Sequence, residues 1–157
     1  MQRRSMIRAA AALLGAAAVT APLAGWTQTK PLVEVWKTAT CGCCHDWVAH
    51  LEANGFQVKA HDISDTAKEA QRRQLGMADK FGSCHTALIG GYVIEGHVPA
   101  REIRRLLKER PKAVGVTVPG MTVGSPGMDG PAYGGRKDPY AVLLVQRDGG
   151  SSVYQSY

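Results

Sequence analysis

Three thiols stand within four residues in the stretch Thr40-Cys41-Gly42-Cys43-Cys44-His45, and the fourth and last cysteine of the chain, Cys84, has His85 beside it. Sulfurs crowded in this way suit two chemistries: electron exchange and the holding of soft metal ions. Cys41 and Cys44 have the C-x-x-C spacing, so on a helical turn their sulfurs meet on one side. A helix start offers unpaired N–H groups and the positive end of the helix dipole. Both favour thiolate over thiol, and the thiolate is at once the redox nucleophile and the metal-binding form. Cys41 and Cys44 are therefore the candidate catalytic pair of a thiol–disulfide oxidoreductase, Cys41 attacking and Cys44 resolving.

Cys43 pulls the reading toward metal. An exchange enzyme needs two sulfurs, and a third beside them invites misbridging, whereas a soft ion gains from each added thiolate. Cys43 and Cys44 diverge by about 100° around a helix, so they can serve different ions or bridge several. Cu(I) prefers thiolate and thioether ligands. Zinc also accepts cysteine and histidine, but the methionines favour copper. Cys84 either completes a four-sulfur site or acts as a resolving thiol. Met121 and Met128 lie in a small repeat, Pro119-Gly120-Met121 and Pro126-Gly127-Met128. Such Pro-Gly turns leave little core to fill, so ligation and packing weigh equally there. His97, at a helix entrance, reads as a ligand slightly ahead of a capping residue. His45 is balanced between ligand and polar first-turn residue, whereas His50 and His61 read as solvated surface and Met77 as packing.

The elements that must position these groups follow from periodicity. Pro31 to Lys37 reads as a strand, and Thr38 to Thr40 as the turn out of it. Cys44, Trp47, Val48 and Leu51 fall at i, i+3, i+4 and i+7, one face of a helix, which Asn54-Gly55 ends. Phe56 to Ile63 reads as a second strand. Thr66-Ala67-Lys68-Glu69 resembles a capping box for a polar helix reaching Leu75. Lys80 to His85 is loop, and Thr86–Ile89 with Tyr92–Glu95 makes a hairpin about Gly90-Gly91. Pro99 takes the first position of a helix whose apolar side is Ile103, Leu106 and Leu107 and which Pro111 stops. Pro119 to Gly135 is a Gly- and Pro-rich loop or flap, followed by strands at Tyr140–Gln146 and Ser152–Tyr157. This succession predicts an α/β, thioredoxin-like fold: a mixed central sheet flanked by helices, with a Gly/Pro/Met-rich C-terminal loop and a terminal β-hairpin. One departure is local: thioredoxins place a cis-proline where this chain has His85.

The first residues read as an address rather than as fold. Arg3, Arg4 and Arg8 precede an apolar, alanine-rich run from Ala9 to Ala21, and small residues follow at Ala24 and Gly25. That is the layout of an export signal over residues 1–24, with the Sec route favoured over the twin-arginine route. The run is too short and interrupted for a comfortable membrane span. Residues 31–157 then form a single domain, and removal of the signal takes the net charge from +6 to +3. No basic stripe interleaved with aromatics is present, which argues against nucleic acid as a partner. Outside the cytoplasm disulfides persist, so a small disulfide-stapled domain without chemistry is a third reading. A bridge among Cys41, Cys43 and Cys44 closes too small a loop to stabilise much, however, and only one to Cys84 would constrain much chain.

Several motifs together resemble one family. The run Trp36 to Cys44, Ser83-Cys84-His85-Thr86-Ala87, Glu95-Gly96-His97-Val98-Pro99-Ala100 and the two Pro-Gly-Met turns are similar, in order and spacing, to the CopG-type periplasmic proteins. These are also described as a domain of unknown function with predicted metal binding. The resemblance runs from about Leu32 to the C-terminus, with a longer glycine-rich insert near Asp129 to Lys137. It implies a thioredoxin-like fold, copper binding in the periplasm, a part in copper resistance and a role in copper redox conversion. Carried over, the ligand set is Cys41, Cys43, Cys44, Cys84 and His97, with Met121 and Met128 added. The implied partners are copper ions and other periplasmic copper-handling proteins.

Overall fold

The computed structural model describes residues 29–157; the export signal expected over residues 1–24 lies outside them. The chain runs β1 (Leu32–Lys37), α1 (Gly42–Ala53), β2 (Gln57–Asp62), α2 (Asp65–Gln74), β3 (Thr86–Ile89), β4 (Tyr92–Glu95), α3 (Ala100–Glu109), β5 (Ala113–Thr117), β6 (Ala141–Gln146) and β7 (Ser151–Ser156). Short 3-10 turns occupy Asp79–Phe81 and Pro131–Tyr133. All seven strands form one mixed sheet in the order β2-β1-β3-β4-β5-β6-β7. The pairs β1–β2 and β4–β5 are parallel and the others antiparallel. Among the described residues, no helix is long and apolar enough to cross a membrane.

Alternation along the strands gives the sheet two apolar faces. On one, Val33, Val35, Ile94, Val116 and Val142 pack with Trp47 and Leu51 of α1 and Ile103 and Leu106 of α3. On the other, Val93 and Val145 pack with Met77 and Phe81 from the segment after α2. A fully buried side chain of this size stabilises by about 1.5–3 kcal/mol, and the larger cluster anchors α1 under the thiol-bearing turn. Trp47 adds a fixed point there, since its buried indole N–H donates to the Val98 carbonyl at 2.9 Å.

Two expected helix starts shift. The capping box at Thr66 is not used: Ser64 caps α2, its hydroxyl accepting from the Ala67 N–H at 3.2 Å. Pro99 is the N-cap of α3 rather than its first residue. Strand β5 is absent from the periodicity reading, and it carries the sheet from β4 to the terminal hairpin. Its Gly115 reads as a breaker in isolation. In place it is required, because a Cβ there would stand 1.8 Å from the Val93 carbonyl oxygen.

Candidate metal and thiol site

The turn Thr38–Thr40 delivers Cys41 to the N-cap of α1, where its side chain makes no capping hydrogen bond. The first-turn amides therefore keep their favourable field for the sulfurs that follow. Cys41 and Cys44 are joined as a disulfide, with Cα atoms 5.3 Å apart. Cys43 is a free, half-buried thiol. Its sulfur lies 3.6 Å from that of Cys41 and 4.0 Å from that of Cys84. Cys44 is buried, its sulfur 3.7 Å from the Cys84 carbonyl oxygen. All four sulfurs lie within 4.8 Å of one another.

Cys84 is shared with a second cluster, in which it meets His85 and His97. The His97 Nδ1 lies 2.8 Å from the Pro126 carbonyl oxygen. A carbonyl only accepts, so Nδ1 carries the proton, and burial holds the ring pKa below its ordinary value. The neutral ring therefore turns a bare Nε2 toward Cys84 Sγ, 3.0 Å away. This is how a second partner fixes the tautomer of a metal-binding histidine. Glycine is needed just before it: Gly96 has φ +70°, and a Cβ there would lie 2.6 Å from both Ser83 Oγ and the Val118 carbonyl.

His85, which the motif reading left out of the ligand set, belongs to this second cluster by position. It is wholly buried over Trp47, with ring centroids 4.2 Å apart and Nδ1 3.3 Å from Cys84 Sγ. Its Nε2 has no hydrogen-bond partner among the described residues. Burial, then the neighbouring His97, drives its pKa well below the usual histidine value. The available signal was adjacency to Cys84, but a residue at a strand entrance can point to either face.

The Cys84 loop is held from behind by Glu95. Its buried carboxylate accepts from the Ser83 N–H and the Thr86 hydroxyl, each at 2.6 Å, and faces Arg72 at 3.5 Å. Burial nevertheless pushes the Glu95 pKa up. Burial, then the neighbouring Cys43, also pushes the Cys84 thiol up to about 12. Cys84 is thus a protonated thiol until a metal or a disulfide takes the proton's place.

The two Pro-Gly-Met turns meet the site differently. Gly120 pairs with the Cys84 loop: its N–H donates to the Gly82 carbonyl at 3.1 Å, and its own carbonyl accepts from the Ser83 hydroxyl. The Met121 side chain that follows is 55% exposed. Gly127 lies across the first turn of α1, where a Cβ would be 2.7 Å from the Cys43 carbonyl and from the Trp47 nitrogen. Met128 is only 5% exposed, and its sulfur accepts from the Tyr133 hydroxyl at 3.2 Å. Burial, then the charges of Cys43 and Asp46, raises the Tyr133 pKa, which places this hydroxyl in the field of the thiol cluster.

The other three histidines lie outside the cluster. His45 Nε2 turns to the Lys37 ammonium at 3.2 Å and the Ala39 carbonyl at 3.1 Å. His50 is not solvated surface: half-buried, it accepts the Ala100 N–H at 3.1 Å and so ties α1 to the start of α3. His61 lies 3.6 Å from Glu34 and stacks on Trp36, on the sheet's β2 side.

The site is a sulfur-rich cluster, able to hold a metal, at the helix start of a mixed α/β protein. Two solved structures, copper resistance protein copG in forms 2 and 1, each share 47% identity with the chain and cover 82% of it and 98% of their own length, with TM-scores of 0.74 and 0.73. A family profile described as a protein of unknown function, DUF411, matches residues 81–128. No curated protein matches. The chain belongs to the CopG family of copper-resistance proteins.

Proposed function

We propose that the protein binds Cu(I) as cargo in the periplasm, within copper tolerance, after export on residues 1–24. The observation that carries this reading is the gathering of Cys41, Cys43, Cys44 and Cys84 within 4.8 Å. Sulfur-only clusters of this kind select soft ions, and the similar solved structures bear the name copper resistance protein. With Cys41 and Cys44 oxidised, Cys43, Cys84 and the bare Nε2 of His97 remain to hold one ion. Reduction adds two thiolates and room for more copper, with His85 also against the Cys84 sulfur and Met128 beside the first turn. Met121, exposed on its loop, is the outermost ligand in this reading. The succession β1-α1-β2-α2-β3-β4-α3 supports a thioredoxin-like core, in which such a site sits at the start of the first helix. Periplasmic copper-handling proteins are the partners that would deliver or collect the ion.

The test is an anaerobic Cu(I) titration of the reduced protein against a chromophoric competitor. Tight binding of at least one equivalent is expected, with a sharp loss of stoichiometry in Cys43→Ser. Failure to hold one equivalent would remove the reading.

The Cys41–Cys44 disulfide favours a second reading, a redox enzyme acting on thiols or on copper itself. In its thiol–disulfide form, Cys41 attacks and Cys44 resolves. Insulin reduction that survives Cys43→Ser would support it, because metal binding predicts that this variant is the damaging one.

A further inference from the structure

We propose that Cys43 and Cys84 are a second disulfide pair, to which the Cys41–Cys44 disulfide passes by internal thiol–disulfide exchange through Cys43. The inference stands on the sulfur positions and does not rest on copper binding.

Cys43 is placed as an intermediary. It is a free thiol with one sulfur of the existing disulfide, Cys41, 3.6 Å away on one side and the other free thiol, Cys84, 4.0 Å away on the other. A disulfide bond is about 2.05 Å long, so each closure needs a movement of roughly 2 Å, within reach of side-chain torsions in a first helical turn and a loop. Both partners of the new bond come from the same chain.

The exchange balances without an outside oxidant. The Cys43 thiolate attacks Cys41 Sγ, forming Cys41–Cys43 and breaking Cys41–Cys44, and Cys44 leaves with the electron pair and takes up a proton. Cys84 then attacks Cys43 Sγ, forming Cys43–Cys84 and breaking Cys41–Cys43, so that Cys41 leaves as the second thiolate. Cys84 gives up its proton to solvent base as its sulfur bonds, and the departing Cys41 thiolate takes one up from solvent. One disulfide and two thiols are present before and after.

The two isomers differ in what they present. Cys41–Cys44 closes a loop of sequence separation 3, whereas Cys43–Cys84 spans 41 positions and ties the start of α1 to the entrance of β3. In the second isomer Cys41 and Cys44 become a free dithiol at the helix start, and Cys84 is removed from ligation. The oxidised protein thereby alternates between a Cys43/Cys84 thiol pair and a Cys41/Cys44 thiol pair.

Disulfide mapping of the whole metal-free protein tests this. Protein carrying one disulfide is incubated anaerobically at pH 8, quenched in acid, alkylated under denaturing conditions and digested with trypsin. Trypsin releases the three clustered cysteines in Thr38–Lys59 and Cys84 in Phe81–Arg101. The expected result is a cross-linked pair of these peptides joined at Cys43, with Cys41 and Cys44 alkylated, which grows with incubation at the expense of the internally bridged peptide. Cys43→Ser should abolish that growth, with circular dichroism confirming its fold. Wild-type protein that holds only the internal Cys41–Cys44 bridge at all times would overturn the proposal. A Cys84 cross-link that persists in Cys43→Ser would overturn it as well, because the route through Cys43 would be wrong.

Discussion

The two Pro-Gly-Met turns have identical side chains and opposite fates. Pro119-Gly120-Met121 lies beside the Cys84 loop and leaves its methionine in solvent, whereas Pro126-Gly127-Met128 lies across the first turn of α1 and buries its methionine. The second turn also supplies, through the Pro126 carbonyl, the hydrogen bond that orients His97. One tripeptide is thus an edge of the site and the other part of its wall. What separates them is what each glycine faces. Nothing lies within 4 Å of a Cβ at Gly120, whereas one at Gly127 would meet backbone at 2.7 Å.

The glycines themselves are expected to differ. Both have positive φ, +75° and +84°, so alanine costs roughly 1–2 kcal/mol at either from conformation alone. At Gly127 the backbone clash adds about 1–3 kcal/mol more. Chemical denaturation should therefore show Gly127→Ala markedly less stable than Gly120→Ala, and equal losses would mean that the wall is not packed as described.

Truncating the methionines sharpens the same contrast. Met128→Ala should cost about 2–5 kcal/mol, the range for a buried methionine. Met121→Ala should stay within about 0.5 kcal/mol, as an exposed position does. Comparable midpoints for the two variants would contradict the assignment.

Acid distinguishes the turns by way of the histidines. Burial lowers the pKa of His97 and His50, and of His85 most strongly. Each is held neutral by the fold, so the unfolded chain binds protons first as pH falls below the ordinary histidine value of about 6.5. Their contribution to stability is complete above that value and declines as pH drops toward the folded-state pKa values. Denaturation followed between pH 7.5 and 5 should show this decline, and His97→Gln should flatten it. The first turn has no such titrating partner among the described contacts.

The smallest effect is expected at Tyr133. Tyr133→Phe removes the hydrogen bond to the Met128 sulfur and should cost about 0.5–1.5 kcal/mol. No change in the melting midpoint would mean that the hydroxyl does not hold Met128 in place.

Much of this site could be read from spacing, because the strong signals were local. The helical register of Cys44, Trp47 and Leu51, the hairpin about Gly90-Gly91 and the order of strands through β4 all follow from short-range pattern. The cysteines announced themselves by crowding. What escaped depended on contacts far along the chain. Gly115 looks like a breaker until Val93 is laid against it in β5. Ser64 outcompetes Thr66 as a cap because the helix begins two residues earlier than its best-looking box. His50 gains its role only from Ala100, and the divergence of Met121 from Met128 is invisible in two identical tripeptides. His85 faces Cys84 only because β3 enters the sheet with that side inward.

Sulfur is the atom expected to hold the ion. X-ray absorption at the copper K-edge of protein loaded anaerobically with Cu(I) measures this directly. A first shell dominated by sulfur, reduced in sulfur count by Cys43→Ser, is the predicted result. A first shell of nitrogen and oxygen alone would contradict it.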